Sequence, residues 1–168
     1  FSSFFYVYLY YPIFCIRPSA YQANSPKSAP KSKTVPLTLV PNRWHLLTDK
    51  HTIYCGDTAL PNFYEQVPYV DLALAISSED WDHDWLIEKA SNIVLLREEI
   101  LQKQGLIEKS LDLYSEPGKT VLFPWLPDPT MLEVEHRLGY RVVAGDADIH
   151  RCQRAIETAK LSAEAILI

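Results

Sequence analysis

The sequence predicts an α/β fold, a Rossmann-like doubly wound sheet that is mostly parallel and has helices between its strands. The main observation is an alternation that runs from residue 43 onward. Short apolar segments bounded by Gly, Pro, Asp or Ser are separated by stretches with helical periodicity. The chain has 168 residues, 48% of them hydrophobic, which suffices for one domain with one core.

Five strands and four helices are predicted. The strands are residues 51–55, 70–76, 92–96, 120–123 and 141–144, and the helices are residues 84–90, 98–114, 128–138 and 149–166. The third helix has Asp128 as its cap, Pro129 in its first turn and Gly139 at its end. Since ligands of such sheets bind outside the carboxyl ends of the strands, we expect any site there.

Residues 1–42 differ in composition from the domain predicted at residues 43–168. Residues 1–16 form an aromatic, apolar leader that contains Pro12 and is shorter than the ~20 residues of a membrane-spanning helix, so we expect no membrane span. Three interpretations of the leader stay open: a signal peptide that lacks its upstream residues, the product of an upstream start site, and a strand-like arm. Residues 19–41 are rich in Pro, Ser and Lys, which is typical of an extended or disordered linker.

Charge, glycine and cysteine content exclude several classes of site. The net charge is −5, and because residues 1–50 hold six basic groups against Asp49 alone, the remaining chain carries −10 and would repel a nucleic-acid backbone. The five glycines are too far apart for a phosphate-binding loop. Cys15, Cys55 and Cys152 fit neither a disulfide framework nor a zinc site, and no histidines have metal-ligand spacing. We therefore expect no metal and a reducing, cytoplasmic location.

Four segments, in a fixed order, carry a resemblance to a known family. They read Ile53-Tyr54-Cys55-Gly56-Asp57, Val70-Asp71-Leu72-Ala73-Leu74-Ala75-Ile76-Ser77-Ser78-Glu79, Leu111-Asp112-Leu113-Tyr114-Ser115-Glu116-Pro117-Gly118-Lys119-Thr120-Val121-Leu122-Phe123-Pro124-Trp125 and Leu138-Gly139-Tyr140-Arg141-Val142-Val143-Ala144-Gly145-Asp146-Ala147-Asp148. Together they resemble the DNA amino-methyltransferases, of adenine or cytosine type, whose catalytic motif precedes the cofactor motif. The resemblance covers about residues 43–163, implies a methyltransferase-type Rossmann fold and makes S-adenosylmethionine the expected cofactor.

The resemblance places the catalytic tetrad on residues that cannot perform its chemistry. In the family, Asp-Pro-Pro-Tyr accepts hydrogen bonds from the amino group of a flipped base and stacks on its ring. The corresponding positions here are Ile76, Ser77, Ser78 and Glu79, without the first carboxylate, the prolines or the ring. A shifted register through Glu79, Asp80 and Trp81 is the alternative.

The cofactor positions that the resemblance implies are altered as well. They are Asp57, Phe123, Trp125, Pro127, Pro129 and Asp146. Pro127 and Pro129 stand where the family has two glycines. Glycine lets the backbone approach the cofactor closely, whereas proline fixes the backbone and removes an amide donor. Asp146 or Asp148 would bond the ribose hydroxyls, as strand-end acids do in dinucleotide folds. The alternative for Asp146 is a solvated strand-end residue.

Three functions follow as hypotheses. The first is a degenerate methyltransferase-like domain that has lost catalysis and S-adenosylmethionine and serves as a binding or scaffold subunit, with an active methyltransferase as its partner. The second is an active S-adenosylmethionine-dependent methyltransferase on DNA or another amine. The third is a nucleotide or small-molecule binder that uses the strand-end acids. Only 41 residues separate Glu79 from Val121, which leaves no room for a DNA-recognition region.

One cysteine and three tryptophans each have both a functional and a structural interpretation. Cys55 stands at a strand end, where it is either a nucleophile or a buried small hydrophobe. Tryptophans 81, 85 and 125 flank the predicted site, where they either form a partner surface or pack in the core.

Overall fold

The structure is a computed structural model that describes residues 38–48, 50–77, 82, 84–101 and 105–166. Residues 1–37, which hold the predicted leader and most of the linker, lie outside the described residues. The described elements are β1 (Arg43–Leu47), β2 (His51–Cys55), α1 (Pro61–Tyr64), β3 (Val70–Ser77), α2 (Leu86–Lys89), β4 (Ala90–Arg97), α3 (Glu98–Leu101), α4 (Leu106–Tyr114), β5 (Thr120–Phe123), α5 (Met131–Leu138), β6 (Arg141–Asp146), α6 (Ile149–Thr158) and β7 (Glu164–Ala165).

The strands form one mixed sheet in the order β4-β3-β5-β6-β2-β1-β7. The pairs from β4 to β2 are parallel, whereas β1 is antiparallel to both β2 and β7. The predicted α/β class with a mostly parallel sheet is confirmed.

The chain winds outward from the middle of the sheet in two directions. From β3 it moves outward to β4, and from β5 it moves the other way to β6. The carboxyl ends of β3 and β5 therefore flank the topological switch point, where sheets of this kind leave a crevice for ligands.

Apolar side chains cover both faces of the sheet because alternate residues of each strand point to opposite sides. On one face Leu72 and Leu74 of β3 pack with buried residues of α4, α5 and α6. On the other face Ala73 and Ala75 pack in a cluster with Phe63 of α1 and with Leu86 of α2, among others. The longer helices thus lie on one side and short helices with aromatic residues on the other.

A glycine allows α1 to approach the sheet closely at the end of β6. A Cβ on Gly145 would lie 2.6 Å from Phe63 Cε2 and 2.6 Å from Thr58 Cγ2. Real Cβ atoms do not approach carbon so closely, so the fit of α1 against β6 depends on this glycine.

Two predicted helices were wrong in extent. The helix predicted at residues 98–114 is two helices, and Gly105 before α4 has φ 75°, a left-handed conformation that interrupts a helix. The helix predicted at residues 149–166 ends at Thr158, since Lys160 adopts φ 56° and the chain then extends to pair β7 with β1.

Element boundaries elsewhere shifted by a few residues. α2 starts at Leu86, two residues late, and Ala90 belongs to β4. α5 starts at Met131, because the Asp128 side chain accepts hydrogen bonds from the backbone and hydroxyl of Thr130 and forms a turn ahead of the helix. β3, β4 and β6 are longer than predicted, and the prediction missed β1, α1 and β7.

Candidate functional site

The two segments predicted to hold substrate and cofactor follow neighbouring strands. Ala73 of β3 pairs with Leu122 of β5, so β3 continues past the end of β5 by three residues, to Ser77. The segment after Phe123 therefore begins beside the last residues of β3, at the switch point. Among the described residues, the ends of β3 and β5 therefore lie at the same edge of the sheet.

The tetrad positions are described only in part. Ile76 is buried in β3 and Ser77 is exposed at its end. Ser78 and Glu79 lie outside the described residues, as do Asp80 and Trp81 of the alternative register. Within the described part, this end of β3 presents one hydroxyl and no carboxylate.

The segment after β5 is packed against the domain. Phe123 is fully buried in the cluster formed with the longer helices, while Trp125, Pro127 and Pro129 are half-buried. The backbone N–H of Leu126 donates to Oδ2 of Asp146 at 3.0 Å, which fixes this segment to the end of β6.

Asp146 is the last residue of β6, and its side chain is inaccessible to solvent, with an exposed fraction of 0%. Oδ1 accepts the Asp148 backbone N–H at 2.7 Å, and Oδ2 accepts that of Leu126. Arg151 Nε lies 3.0 Å from both oxygens. The expectation of a solvated strand-end residue is wrong, because this carboxylate is buried and hydrogen-bonded on both oxygens. Its predicted ribose contact stays a prediction.

Arg151 comes from the first turn of α6, and its side chain is 31% exposed. Its guanidinium carbon lies 5.8 Å from the ring centroid of Trp125, within reach of a cation–π contact. The hydrogen bond that Arg151 donates to Asp146 is the largest cause that raises the pKa of Arg151. Arg151 therefore stays charged and joins β6, α6 and the segment after β5.

Two further acids that the structure describes at this edge serve local turns. Asp57 is exposed after β2, where its Oδ1 accepts the Ala59 N–H at 2.9 Å. Asp148 is the N-cap of α6 and accepts the His150 N–H, which lowers the pKa of Asp148. Both carboxylates stabilise chain turns that leave the sheet.

Cys55 is buried in the core beside Cys152, which fits the alternative of a small buried hydrophobe. The hydrogen bond with Cys55, followed by burial, raises the pKa of the Cys152 thiol. A raised pKa disfavours the thiolate, which is the reactive form. Among the described residues no group of three or more His, Cys, Asp or Glu side chains could hold a metal ion.

The tryptophans within the described part pack against neighbouring side chains. Trp85 is half-buried, and its ring centroid lies 5.9 Å from the ring centroids of both Phe63 and Tyr64. Trp125 lies beneath Arg151, and Trp81 lies outside the described residues.

Sequence reasoning missed Arg151. A basic residue five positions after a strand-end acid was the available signal, because the first turn of the next helix returns toward the strand. No helix in the described ranges is long and apolar enough to cross a membrane; the longest, α6, has ten residues.

Comparison with known proteins gives one similar solved structure. No protein-family model and no curated protein matches the chain. A crystal structure of the M1.HpyAVI–SAM complex is similar with a TM-score of 0.48 and 12% identity, over 66% of this chain and 100% of that one.

Proposed function

We propose that this chain is a DNA methyltransferase-like domain that has lost methyl transfer and serves as a binding or scaffold subunit beside an active methyltransferase. The state of the Asp146 carboxylate carries the proposal. This acid, which the sequence resemblance assigns to the ribose hydroxyls, is buried, and three donor groups occupy its oxygens. A ribose diol would have to displace Arg151, a charge-assisted contact, before it could bond.

The segment after β5 supports the same conclusion. The resemblance assigns this segment to the methionine part of S-adenosylmethionine, where a backbone amide and close approach are needed. Pro127 and Pro129 provide no amide donor, and the side chain of Phe123 is directed into the core. These residues do not fit the cofactor as they stand.

The described residues of the substrate side do not present the groups that would bind an exocyclic amine. Ile76 has no acceptor and is buried, and Ser77 offers one hydroxyl in place of a carboxylate. Loss at both the substrate and the cofactor positions favours a domain that keeps its fold for binding.

Calorimetric titration of the full chain with S-adenosylmethionine and S-adenosylhomocysteine tests the loss of the cofactor. We expect no saturable heat up to about 1 mM ligand, which bounds binding at about −4 kcal/mol. A micromolar dissociation constant, about −8 kcal/mol, would contradict the proposal. Asp146→Asn serves as the matched control: a true ribose contact would weaken in this variant.

The scaffold role needs a separate measurement. Sedimentation velocity of the full chain mixed with an active DNA methyltransferase from the same source should show a complex that neither protein forms alone. Two independent boundaries at micromolar concentrations of both proteins would contradict this part of the proposal.

A second candidate function is an active S-adenosylmethionine-dependent methyltransferase. One observation favours it: Asp146 lies at the carboxyl end of β6, one strand from the switch point, where a ribose acid would be expected. Methyl transfer from labelled S-adenosylmethionine to DNA, lost in Asp146→Asn, would establish this function in place of the first.

A further inference from the structure

Two partly exposed aromatic rings meet between α1 and α2, on the face of the sheet that carries the short helices. The ring centroids of Tyr64 and Trp85 are 5.9 Å apart and the ring planes are inclined by 28°, so the rings are stacked. The buried ring of Phe63 packs edge to face against Trp85, also at 5.9 Å. The pair is therefore held in one arrangement, while both of its rings stay partly accessible.

Exposed apolar side chains adjoin the aromatic pair along the chain. Leu60, one turn before Tyr64, is 47% exposed, and Ile87, two residues after Trp85, is 40% exposed. Exposed apolar groups around an aromatic pair are typical of a surface that contacts another polypeptide segment. We call Leu60, Tyr64, Trp85 and Ile87 the α1–α2 surface.

A lysine joins the two helices that form the α1–α2 surface. Lys89, the last residue of α2, donates from Nζ to the carbonyl oxygens of Glu65 at 3.3 Å and Val67 at 2.9 Å, both in the chain that leaves α1. The surface is therefore preformed, and a preformed surface loses less entropy when it binds a ligand.

The two chain segments that form the α1–α2 surface carry a surplus of negative charge. Within the described part of residues 57–69 and 82–89, Lys89 is the one basic residue, whereas several acids are exposed. These acids are Asp57, Glu65, Asp82, Asp84 and Glu88. A ligand with positive charge and no acid would be attracted to this surface.

Residues 26–33 of this chain, which lie outside the described residues, have the composition that such a surface would bind. They read Pro26-Lys27-Ser28-Ala29-Pro30-Lys31-Ser32-Lys33, with three lysines, two prolines and no acid. Proline-rich segments bind aromatic-lined surfaces because proline restricts the main chain beforehand, which lowers the entropy lost on binding. Lysine adds the charge that exposed carboxylates attract.

The chain between residues 26–33 and the sheet is long enough for this contact. The Asn42 N–H donates to the carbonyl of Cys55 at the end of β2. The ring of Tyr54, the residue before Cys55, lies 5.5 Å from that of Phe63, which packs against Trp85. Asn42 is therefore close to the α1–α2 surface. The 12 residues from Pro30 to Asn42 can span about 40 Å when extended.

We propose that the α1–α2 surface binds residues 26–33 of the same chain, with the prolines against the rings of Tyr64 and Trp85 and the lysines opposite the exposed carboxylates. The tether keeps the segment at a millimolar effective concentration, so a weak site suffices for substantial occupancy. The inference goes beyond the proposed function, because neither the cofactor nor a methyltransferase partner enters it.

Limited digestion of the full chain with trypsin, followed by mass spectrometry, tests the contact. Trypsin cleaves after Lys27, Lys31 and Lys33, and the rate should follow the fraction of time that the segment is undocked. Replacing Glu65 and Glu88 together by glutamine should accelerate cleavage at these sites about twofold or more. Tyr64→Ala should accelerate it as well. Higher salt should reduce the difference between the unsubstituted chain and the glutamine variant, because salt screens exposed charges.

Two controls make the result specific. Glu116→Gln combined with Glu157→Gln removes the same charge from exposed acids after α4 and on α6, and should leave the cleavage rate unchanged. Tyr64→Phe keeps the ring and should keep the protection. Circular dichroism and thermal unfolding check that each variant is folded, and the glutamine variant decides the question if Tyr64→Ala does not fold.

Equal cleavage rates in the unsubstituted chain and in the folded surface variants overturn the inference. So does an equal acceleration in the Glu116 and Glu157 control. Protection that increases with protein concentration also overturns it, because the segment would then bind a second copy of the chain. The proposed function fails on a different result, cofactor binding by the unsubstituted chain, so the two failures can be told apart.

Discussion

Glu135 of α5 is a buried acid whose two carboxyl oxygens have no hydrogen-bond partner. Burial is the largest cause that raises its pKa well above the ordinary value of 4.5; Glu108 and Glu133 add to the increase, and its own amide and Arg137 oppose it. Since the folded state holds a proton that the unfolded chain releases, stability is complete below about pH 4.5 and is lost as the pH rises through the raised pKa.

Replacing Glu135 by leucine should stabilise the protein at neutral pH. The substitution removes a buried polar group without a partner, which costs about 1–3 kcal/mol, and leaves an apolar side chain of similar size in the same place. We therefore expect the free energy of unfolding at pH 7 to increase by about 1–3 kcal/mol. Glu135→Gln should remove the titration and keep most of the desolvation cost.

Urea unfolding followed by tryptophan fluorescence at pH 5 and pH 8 measures both effects. The unsubstituted chain should lose stability between these pH values through Glu135, and both variants should lack that part of the slope. Glu157→Gln is the control, because Glu157 is an exposed acid on α6 that is not among the groups shifting the pKa of Glu135. A leucine variant that is less stable, or a glutamine variant with the original slope, would refute the reasoning.

Three further substitutions test the contacts that position the site. Gly145→Ala should cost about 1–3 kcal/mol by overpacking, and Phe63→Leu should recover part of that loss in the double variant. Asp146→Ala breaks a buried ion pair and should cost about 3–5 kcal/mol in urea unfolding; a cost below about 1 kcal/mol contradicts this role. Asp71→Ala should cost about 1 kcal/mol through the lost 2.9 Å bond to the Thr120 amide, whereas Lys119→Ala, at an exposed pair, should change little.

The central strands could be predicted from the sequence because each is apolar on both faces. Residues 72–76 of β3 are all buried, and a strand covered on both sides reads as a continuous apolar run. The edge elements could not be predicted in this way. β7 has two exposed residues, and its pairing with β1 is a long-range contact that leaves no local pattern.

The candidate site was likewise predictable in part. The edge of the sheet could be predicted from strand order, since the parallel strands β3, β5 and β6 all end there. The hydrogen bonding of the Asp146 carboxylate could not be predicted. Its contact with the Arg151 guanidinium depends on the direction in which α6 leaves β6. Glu135 is a similar case: helical periodicity placed it on α5, but its complete burial depends on what packs around that helix.

The parallel pairing of β2 with β6 has a consequence for how the chain acquires its structure. His51 and Val142, which are paired in this register and also joined through the imidazole, are 91 positions apart in the chain. During synthesis the β1–β2 hairpin is complete long before its partner strand leaves the ribosome, and a contact that closes so long a loop forms slowly. Until β6 arrives, the hairpin exposes an unpaired edge and the aromatic face of Trp44 and Tyr54, a period in which chaperone binding or aggregation would compete with folding.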